Sequence, residues 1–137
     1  MADNRTFEVG SIGWIDLTVP DAPAIRDFYQ SVTGWGVKNV DMKHEGTAYH
    51  DYAMLTESGV AVSGVCHAVG ANAALPAQWL IYIIVKNLAA SLEKVTAMGG
   101  KVLSGPRSMG PSKYAIIQDP AGASCALFQA DEDEPES

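Results

Sequence analysis

Hydrophobic and polar side chains alternate along residues 11–21, SIGWIDLTVPD. Such alternation predicts a half-buried β-strand, because successive side chains of a strand point to opposite faces. One face holds aliphatic residues typical of a core: Ile15, Leu17 and Val19. The other face holds an indole, a carboxylate and a hydroxyl: Trp14, Asp16 and Thr18. A ligand pocket suits this second face better than open water, since water would leave the indole unburied.

A helix is predicted directly after this strand. Asp21 can cap its first turn, Pro23 suits that turn, and Gly34 can end it. Between the cap and the glycine, apolar residues recur at the spacing of one helix face: Ile25, Phe28, Tyr29 and Val32.

The second half of the chain repeats this order of strand, cap, helix and glycine. A strand is predicted over 80–85, a cap at Asn87 and a helix end at Gly99-Gly100. The apolar stripe of this second helix consists of Leu88, Leu92, Val95 and Met98. The two halves align without a gap from strand to glycine, so we predict two repeats of one structural unit.

Short strands are predicted after each helix. In the first half they cover 35–40, 49–55 and 60–67, and in the second half 101–104, 114–118 and 124–129. The chain therefore reads βαβββ twice, which is an α+β fold. Two segments are predicted to be loops long enough to act as lids: 68–78 and 105–113.

These elements predict one domain over 11–130, after an N-terminal extension over 1–10. Its first unit spans 11–67 and its second unit 79–130, joined by the 68–78 loop. The acidic tail, 131–137, carries much of the net charge of −7 and is expected to be disordered.

The composition of the chain argues against several classes of protein. Nine lysines and arginines without a basic stripe do not favour nucleic-acid binding. No apolar run is long enough to cross a membrane, and the polar start of the chain lacks the apolar core of a signal peptide. Two cysteines, Cys66 and Cys125, form no disulfide framework. We therefore expect a cytoplasmic protein with reduced, buried thiols.

Several short motifs follow the order and spacing of one family: Val19-Pro20-Asp21, Phe28-Tyr29, Gly34-Trp35, Gly99-Gly100-Lys101-Val102 and Gln118-Asp119-Pro120-Ala121-Gly122. Over residues 11–129 the chain resembles a bacterial-type member of the vicinal oxygen chelate superfamily, the glyoxalase, bleomycin-resistance and extradiol dioxygenase group. The resemblance implies two βαβββ modules forming curved mixed sheets around a cleft, paired within a chain or across a dimer. It implies no single reaction, because members isomerise, epimerise, cleave aromatic rings, open epoxides or only bind a drug.

Enzymes of this superfamily usually hold one divalent metal through His, Glu or Gln side chains of the inner strands. The resemblance places three of the ligand positions at residues that cannot bind a metal: Trp14, Leu80 and Ala126. The fourth falls on the predicted strand 60–67, where one ligand alone would not hold a metal. We therefore expect no metal at the usual site and no cofactor. A divalent metal could bind only at a non-standard site, such as one built from His50 and His67.

The register that turns Trp14 toward the cleft also predicts its other lining residues. Candidate ligand contacts on the later strands are aromatic or amide side chains: Tyr82, Tyr114, Gln118 and Phe128. Arg107, on the predicted 105–113 loop, could meet an anionic ligand, although a surface arginine needs no such role. A lining of this composition is typical of a small-molecule pocket.

Asp16 and His67 are the candidate acid–base residues. A carboxylate in an apolar cleft has a raised pKa, which suits proton transfer near neutral pH. His67 lies at the end of a predicted strand and is the alternative base. The alternative for Asp16 is a structural role, paired with a nearby cation or hydroxyl.

Two functions of different class follow from these candidates. We predict first a homodimer whose hydrophobic cleft binds a small aromatic or hydrophobic compound. The alternative is a lyase, isomerase or dioxygenase-type enzyme that uses Asp16 or His67, or a relocated divalent metal.

Overall fold

The computed structural model describes residues 8–130. Within this range the chain forms two compact units, residues 15–79 and residues 80–130 together with 8–14. The elements follow the order βαβββ twice along the chain, so the expected α+β fold of two βαβββ modules is confirmed. None of the helices in residues 8–130 is long and apolar enough to cross a membrane. The predicted acidic tail lies outside the described residues.

The first module contains one helix and four strands in the predicted order: β1 (Ile12–Val19), α1 (Ala22–Thr33), β2 (Gly36–His44), β3 (Thr47–Leu55) and β4 (Ala61–His67). Its strands lie in the order β2-β3-β4-β1. β1 and β4 are parallel, whereas the other neighbours are antiparallel, which makes the sheet mixed. One short 3-10 turn, Gly70–Asn72, interrupts the predicted 68–78 loop.

Helix α1 begins and ends at the predicted residues. The Asp21 carboxylate accepts a hydrogen bond from the Ala24 N–H at 3.4 Å. At the other end Gly34 adopts a left-handed φ of 81° and donates its N–H to the Gln30 carbonyl at 3.0 Å. This conformation favours glycine, which has no Cβ to collide with the following carbonyl.

The core between α1 and its sheet uses only part of the predicted apolar stripe. Its buried members are Leu17, Val19, Ala22, Tyr52, Met54 and Val65. Ile25 and Tyr29 pack against this cluster, whereas Phe28 is 53% exposed and Val32 is 64% exposed. The stripe prediction was wrong for these two residues, because the sheet contacts a narrower face of the helix than the apolar spacing covers.

Three aromatic side chains close one end of this core. The Trp79 indole N–H donates a hydrogen bond to the Tyr29 hydroxyl at 3.1 Å. The Trp35 and Trp79 rings lie 6.0 Å apart in a T-shaped arrangement. Both tryptophans therefore pack against the core of the first module.

The second module repeats the arrangement: β5 (Trp79–Ile84), α2 (Leu88–Ala97), β6 (Lys101–Met109), β7 (Ser112–Gln118) and β8 (Ser124–Gln129). Its strands lie in the order β5-β8-β7-β6, with β5 and β8 parallel. The Asn87 side chain caps α2 by accepting from the Ala90 N–H at 3.0 Å. The buried Gln129 amide oxygen accepts from the Leu88 N–H at 2.7 Å, which satisfies another free donor of the first turn.

Aliphatic residues form the core between α2 and its sheet: Leu88, Ala115, Ile117 and Leu127, with Leu92 and Val95 packed against them. Met98, the last residue of the predicted stripe, is 76% exposed. The stripe prediction was wrong there because α2 ends at Ala97 and Met98 is its cap.

The predicted 105–113 loop is instead a β-hairpin. β6 continues to Met109 and β7 begins at Ser112. Gly105 and Pro106 occupy an irregularity within β6, and pairing with β7 resumes at Arg107 opposite Tyr114. Proline is tolerated here because β6 is the last strand of its module, where one side of the strand needs no partner.

Candidate functional site

The second module presents two different sheet faces. Residues of one face pack against α2, among them Ile83, Ala115, Ile117, Cys125 and Leu127. Their neighbours along each strand must point the other way. We call that side the distal face, which consists of Leu80, Tyr82, Ile84, Tyr114, Ile116, Gln118, Ala126 and Phe128. These are the side chains that alternation predicts to lie together.

The distal face has a buried floor and a more accessible aromatic part. Aliphatic residues at most 2% exposed form the floor: Leu80, Ile84, Ile116 and Ala126. Tyr114 and Phe128 are half-buried and lie directly opposite one another on β7 and β8. The Tyr82 and Tyr114 rings lie 6.1 Å apart, tilted by 42°. Tyr82 is 8% exposed, so a planar ligand could contact Tyr114 and Phe128, the more accessible rings of this face.

Strand β6 adds three polar residues to the same face: Lys101, Ser104 and Arg107. Register shifts on either side of Ser104 place it opposite Ile116, and place Arg107 opposite Tyr114. Directly opposed residues of an antiparallel pair share a face. The Ser104 hydroxyl is enclosed and has no hydrogen-bond partner among residues 8–130, whereas Arg107 is exposed. Lys101, opposite Gln118, and Arg107 are therefore the two exposed cationic residues that β6 contributes to this face.

Ser104 was missed by the sequence analysis. Strict alternation from Lys101 onward would not identify it, because a bulge changes which side chains face the same way. The Gly105-Pro106 pair was the one available signal, since such residues within a strand pattern indicate a bulge.

The positions that the family resemblance assigns to metal ligands do not fit a divalent metal. The Trp14 indole nitrogen only donates hydrogen bonds, and the other two side chains are hydrocarbon. Leu80 is 1% exposed and Ala126 is fully buried. These positions supply packing surface instead of donor atoms.

The first module holds the two predicted acid–base residues. Asp16 lies opposite Gly64 on the parallel strand β4, and Thr18 lies opposite Cys66. His67 ends β4, as the sequence predicts. Asp51 on β3, which the sequence did not single out, is the carboxylate that binds His67.

Asp51 is 8% exposed and accepts several hydrogen bonds. The Asp51 Oδ1 atom lies 2.9 Å from the His67 backbone nitrogen and 3.2 Å from His67 Nδ1. The Cys66 thiol also hydrogen-bonds the Asp51 side chain. A buried carboxylate needs such partners, because an unpaired one is costly to remove from water.

Two tyrosines hold the His67 ring. Tyr49 meets it edge-on at a centroid distance of 5.4 Å, and Tyr52 lies at 6.1 Å. Tyr49 and Tyr52 are three residues apart on β3 and so point to opposite faces. His67 is the last residue of β4, so its ring contacts both tyrosines and reaches Asp51 where the alternation of that strand ends.

Burial raises the pKa of the Cys66 thiol, and the nearby Asp16 and Asp51 carboxylates raise it further. Burial also raises the pKa of Cys125 and of the Tyr49 phenol. All three groups therefore favour their neutral forms, and the thiols resemble the inert, buried kind.

The other two histidines lie on the β2–β3 hairpin. His50 contacts Asp41 at 3.1 Å, and His44, predicted on a loop, lies at the end of β2 beside Glu45 at 3.8 Å. Within residues 8–130, no three His, Cys, Asp or Glu side chains come together as a metal site would require. His50 and His67 each have their own carboxylate partner.

Several known proteins resemble this chain in sequence. The chain is 32% identical over 132 residues to "Putative glyoxylase CFP32" of Mycobacterium tuberculosis, covering 95% of this chain and 49% of that protein. It is 28% identical over 136 residues to "Anthracycline biosynthesis protein DnrV" of Streptomyces peucetius, covering 90% and 48%. The chain thus spans about half the length of the curated relatives it matches.

Solved structures show the same fold at lower identity. Methylmalonyl-CoA epimerase from Mycobacterium tuberculosis superposes with a TM-score of 0.55 at 12% identity, covering 94% of this chain and 92% of that one. A Streptomyces coelicolor methylmalonyl-CoA epimerase variant gives 0.55 at 19% identity, covering 95% and 99%. The family model itself matches residues 11–127. The chain therefore belongs to the Glyoxalase/Bleomycin resistance protein/Dioxygenase superfamily.

Proposed function

We propose that this chain binds a small aromatic or largely apolar compound on the distal face of its second module. The observation that carries the proposal is the pair of half-buried rings Tyr114 and Phe128, which lie opposite one another, with the buried Tyr82 ring 6.1 Å from Tyr114. These rings share a face with aliphatic residues, among them Leu80 and Ala126, which stand at the ligand positions that the family resemblance assigns. Apolar contact and ring stacking are the interactions that such a surface offers.

The polar groups of the distal face add a preference for one anionic or carbonyl group on the ligand. Arg107 lies directly opposite Tyr114, so its guanidinium can reach a group attached to a ring that stacks on Tyr114. Within residues 8–130 no carboxylate forms an ion pair with Arg107. A relative named for anthracycline biosynthesis is consistent with a ligand that contains aromatic rings.

A pair of matched probes tests this proposal. 1-Anilinonaphthalene-8-sulfonate is aromatic and anionic, and N-phenyl-1-naphthylamine is its analogue without the sulfonate. We expect Tyr114→Ala to weaken both probes about tenfold, since about 1.4 kcal/mol of ring contact is lost. Arg107→Gln should weaken only the sulfonate probe.

Isothermal titration calorimetry measures both affinities. Phe28→Ala is the matched control, because Phe28 is an aromatic residue 53% exposed on α1 and outside the distal face. Its affinities should equal those of the unchanged protein. Unaltered binding in Tyr114→Ala would show that the probes, if they bind, occupy another surface, and the proposal would fail.

A further inference from the structure

The first module contains a histidine–carboxylate pair that the proposed binding function does not use. We propose that Asp51 and His67 form a general-base pair, in which the His67 Nε2 atom removes a proton from a weakly acidic C–H group of a small molecule. This proposal goes beyond ligand binding, and it rests on residues of the first module alone.

The geometry of the pair fixes the orientation of the imidazole. Asp51 Oδ1 lies 3.2 Å from His67 Nδ1 and 2.9 Å from the His67 backbone N–H. The same carboxylate oxygen thus binds the main chain and the side chain of one residue. This double contact, with the Tyr49 and Tyr52 rings on either side, restricts rotation of the His67 ring.

The hydrogen bond also selects the tautomer. An ionised carboxylate only accepts hydrogen bonds, so Nδ1 of His67 must be the donor. In the neutral ring the proton is then on Nδ1, and Nε2 carries a free lone pair. This is the arrangement in which a carboxylate orients a histidine base and stabilises the imidazolium that forms.

The imidazole of the pair is more exposed than the carboxylate, as a general base oriented by a carboxylate requires. The Asp51 side chain is 12% exposed, whereas the His67 side chain is 21% exposed. The carboxylate is therefore shielded from water, and the imidazole remains partly accessible to a substrate. The exposed pair His50–Asp41, with side chains 48% and 96% exposed, lacks this shielding.

Other ionisable groups surround the pair on each neighbouring element. Tyr49 on β3 and Cys66 on β4 are neutral neighbours, because burial raises the pKa of each. Asp16 on β1 acts on Cys66 from the same region. Arg26 on α1 lies 4.6 Å from the centre of the Tyr52 ring, which also contacts His67. The Asp51 carboxylate is thus the charged group that hydrogen-bonds the imidazole.

A generic carbon acid can reveal this base without knowledge of the natural substrate. In 5-nitrobenzisoxazole, His67 Nε2 would take the proton from C3, and the C–H electron pair would form the third bond of a nitrile. The ring N–O bond breaks, and the oxygen leaves as 2-cyano-4-nitrophenolate. The proton on His67 then passes to water, so the base is regenerated and no other reactant is needed.

Two measurements test the proposal, and the first needs no ligand. Long-range proton–nitrogen NMR spectra of the neutral protein should show His67 protonated on Nδ1. His50 contacts Asp41 through Nε2 and should show the opposite tautomer. Asp51→Asn should remove the preference of His67 for the Nδ1-protonated tautomer and should leave the tautomer of His50 unchanged. An Nε2-protonated His67 in the unchanged protein would overturn the proposal.

The second measurement is the rate of nitrophenolate release at a series of pH values. The rate should rise with pH and level off once the imidazole is deprotonated. His67→Gln should reduce the rate of nitrophenolate release to that in buffer alone. Asp51→Asn should lower the protein-dependent part of the rate about tenfold or more, and His50→Gln should leave it unchanged. Equal rates for His67→Gln and the unchanged protein would contradict a base at His67, whereas loss of probe binding in Tyr114→Ala bears only on the distal face.

Discussion

At the scale of single residues, hydrogen bonds and burial assign different roles to the polar groups of the first module. Asp51 binds the main chain and the ring of His67, so it both ends the β3–β4 pairing and orients an imidazole. Cys66 donates to the same carboxylate from inside the protein. A sequence singles out Asp16, whose neighbours are apolar, more readily than Asp51, whose partner is sixteen residues away.

The buried Cys66 thiol should make stability depend on alkaline pH. Its pKa in the folded protein lies above the ordinary thiol value of 9.0, so the folded state keeps a proton that the unfolded state loses. The stabilising contribution is complete below about pH 9 and declines above it, by up to about 1.4 kcal/mol per pH unit. Urea unfolding of the unchanged protein and of Cys66→Ala, at neutral pH and above pH 9, measures this difference.

The alkaline decline should be shallower in Cys66→Ala than in the unchanged protein. Parallel declines would mean that Cys66 ionises equally in both states and is not buried as the structure shows. The loss of the hydrogen bond to Asp51 affects the variant at every pH and therefore does not alter this comparison.

At the scale of helices and strands, the predictions were correct where a cap or turn residue is recognisable in the sequence. Both helix caps followed from Asp21 and Asn87, because a side-chain acceptor before an apolar stripe is a local signal. The β2–β3 hairpin was longer than predicted, since its turn uses Glu45 and Gly46 at φ values of 51° and 82°. Glutamate is an uncommon residue for the first of these positions, so the sequence did not indicate a two-residue turn.

The end of α2 lies so close to β7 at Gly100 that we expect this position not to tolerate a larger side chain. A Cβ on Gly100 would lie 2.7 Å from the Gln118 carbonyl oxygen and 3.0 Å from Val95 Cγ1. Gly100→Ala should therefore lower the free energy of unfolding by about 2 kcal/mol, because backbone must move to relieve the overlap.

Gly36→Ala is the matched control in the other module. Its Cβ would meet the nearest atom, Leu55 Cβ, at an ordinary 3.5 Å, so we expect a change within about 0.5 kcal/mol. Urea unfolding compares the two variants. A Gly100→Ala protein as stable as the control would mean that α2 and β7 are further apart than the structure places them.

At the scale of the whole molecule, the repeat was the part of the fold most accessible from sequence. Core, cap and glycine coincide between the two halves, and each half folds into the same βαβββ order. Alternation then placed Tyr82, Tyr114 and Phe128 on one face correctly. It could not reveal Ser104 or the Asp51–His67 contact, because a bulge and a strand end interrupt the period on which the argument depends.

The homodimer and the cytoplasmic location stay predictions for the whole chain. The chain spans about half the length of its curated relatives, so their activities and partners do not transfer to it directly. The assembly can be measured together with the metal content, because native mass spectrometry retains both subunit contacts and bound ions.

We propose that this family member binds its ligand through an apolar, aromatic face instead of the usual metal. Native mass spectrometry of protein purified without added metal tests it most directly. We predict a dimer whose mass contains no zinc, iron, nickel or manganese, since Trp14, Leu80 and Ala126 offer no donor atoms at the family's ligand positions. A species that carries one such ion per chain would contradict this account of the site.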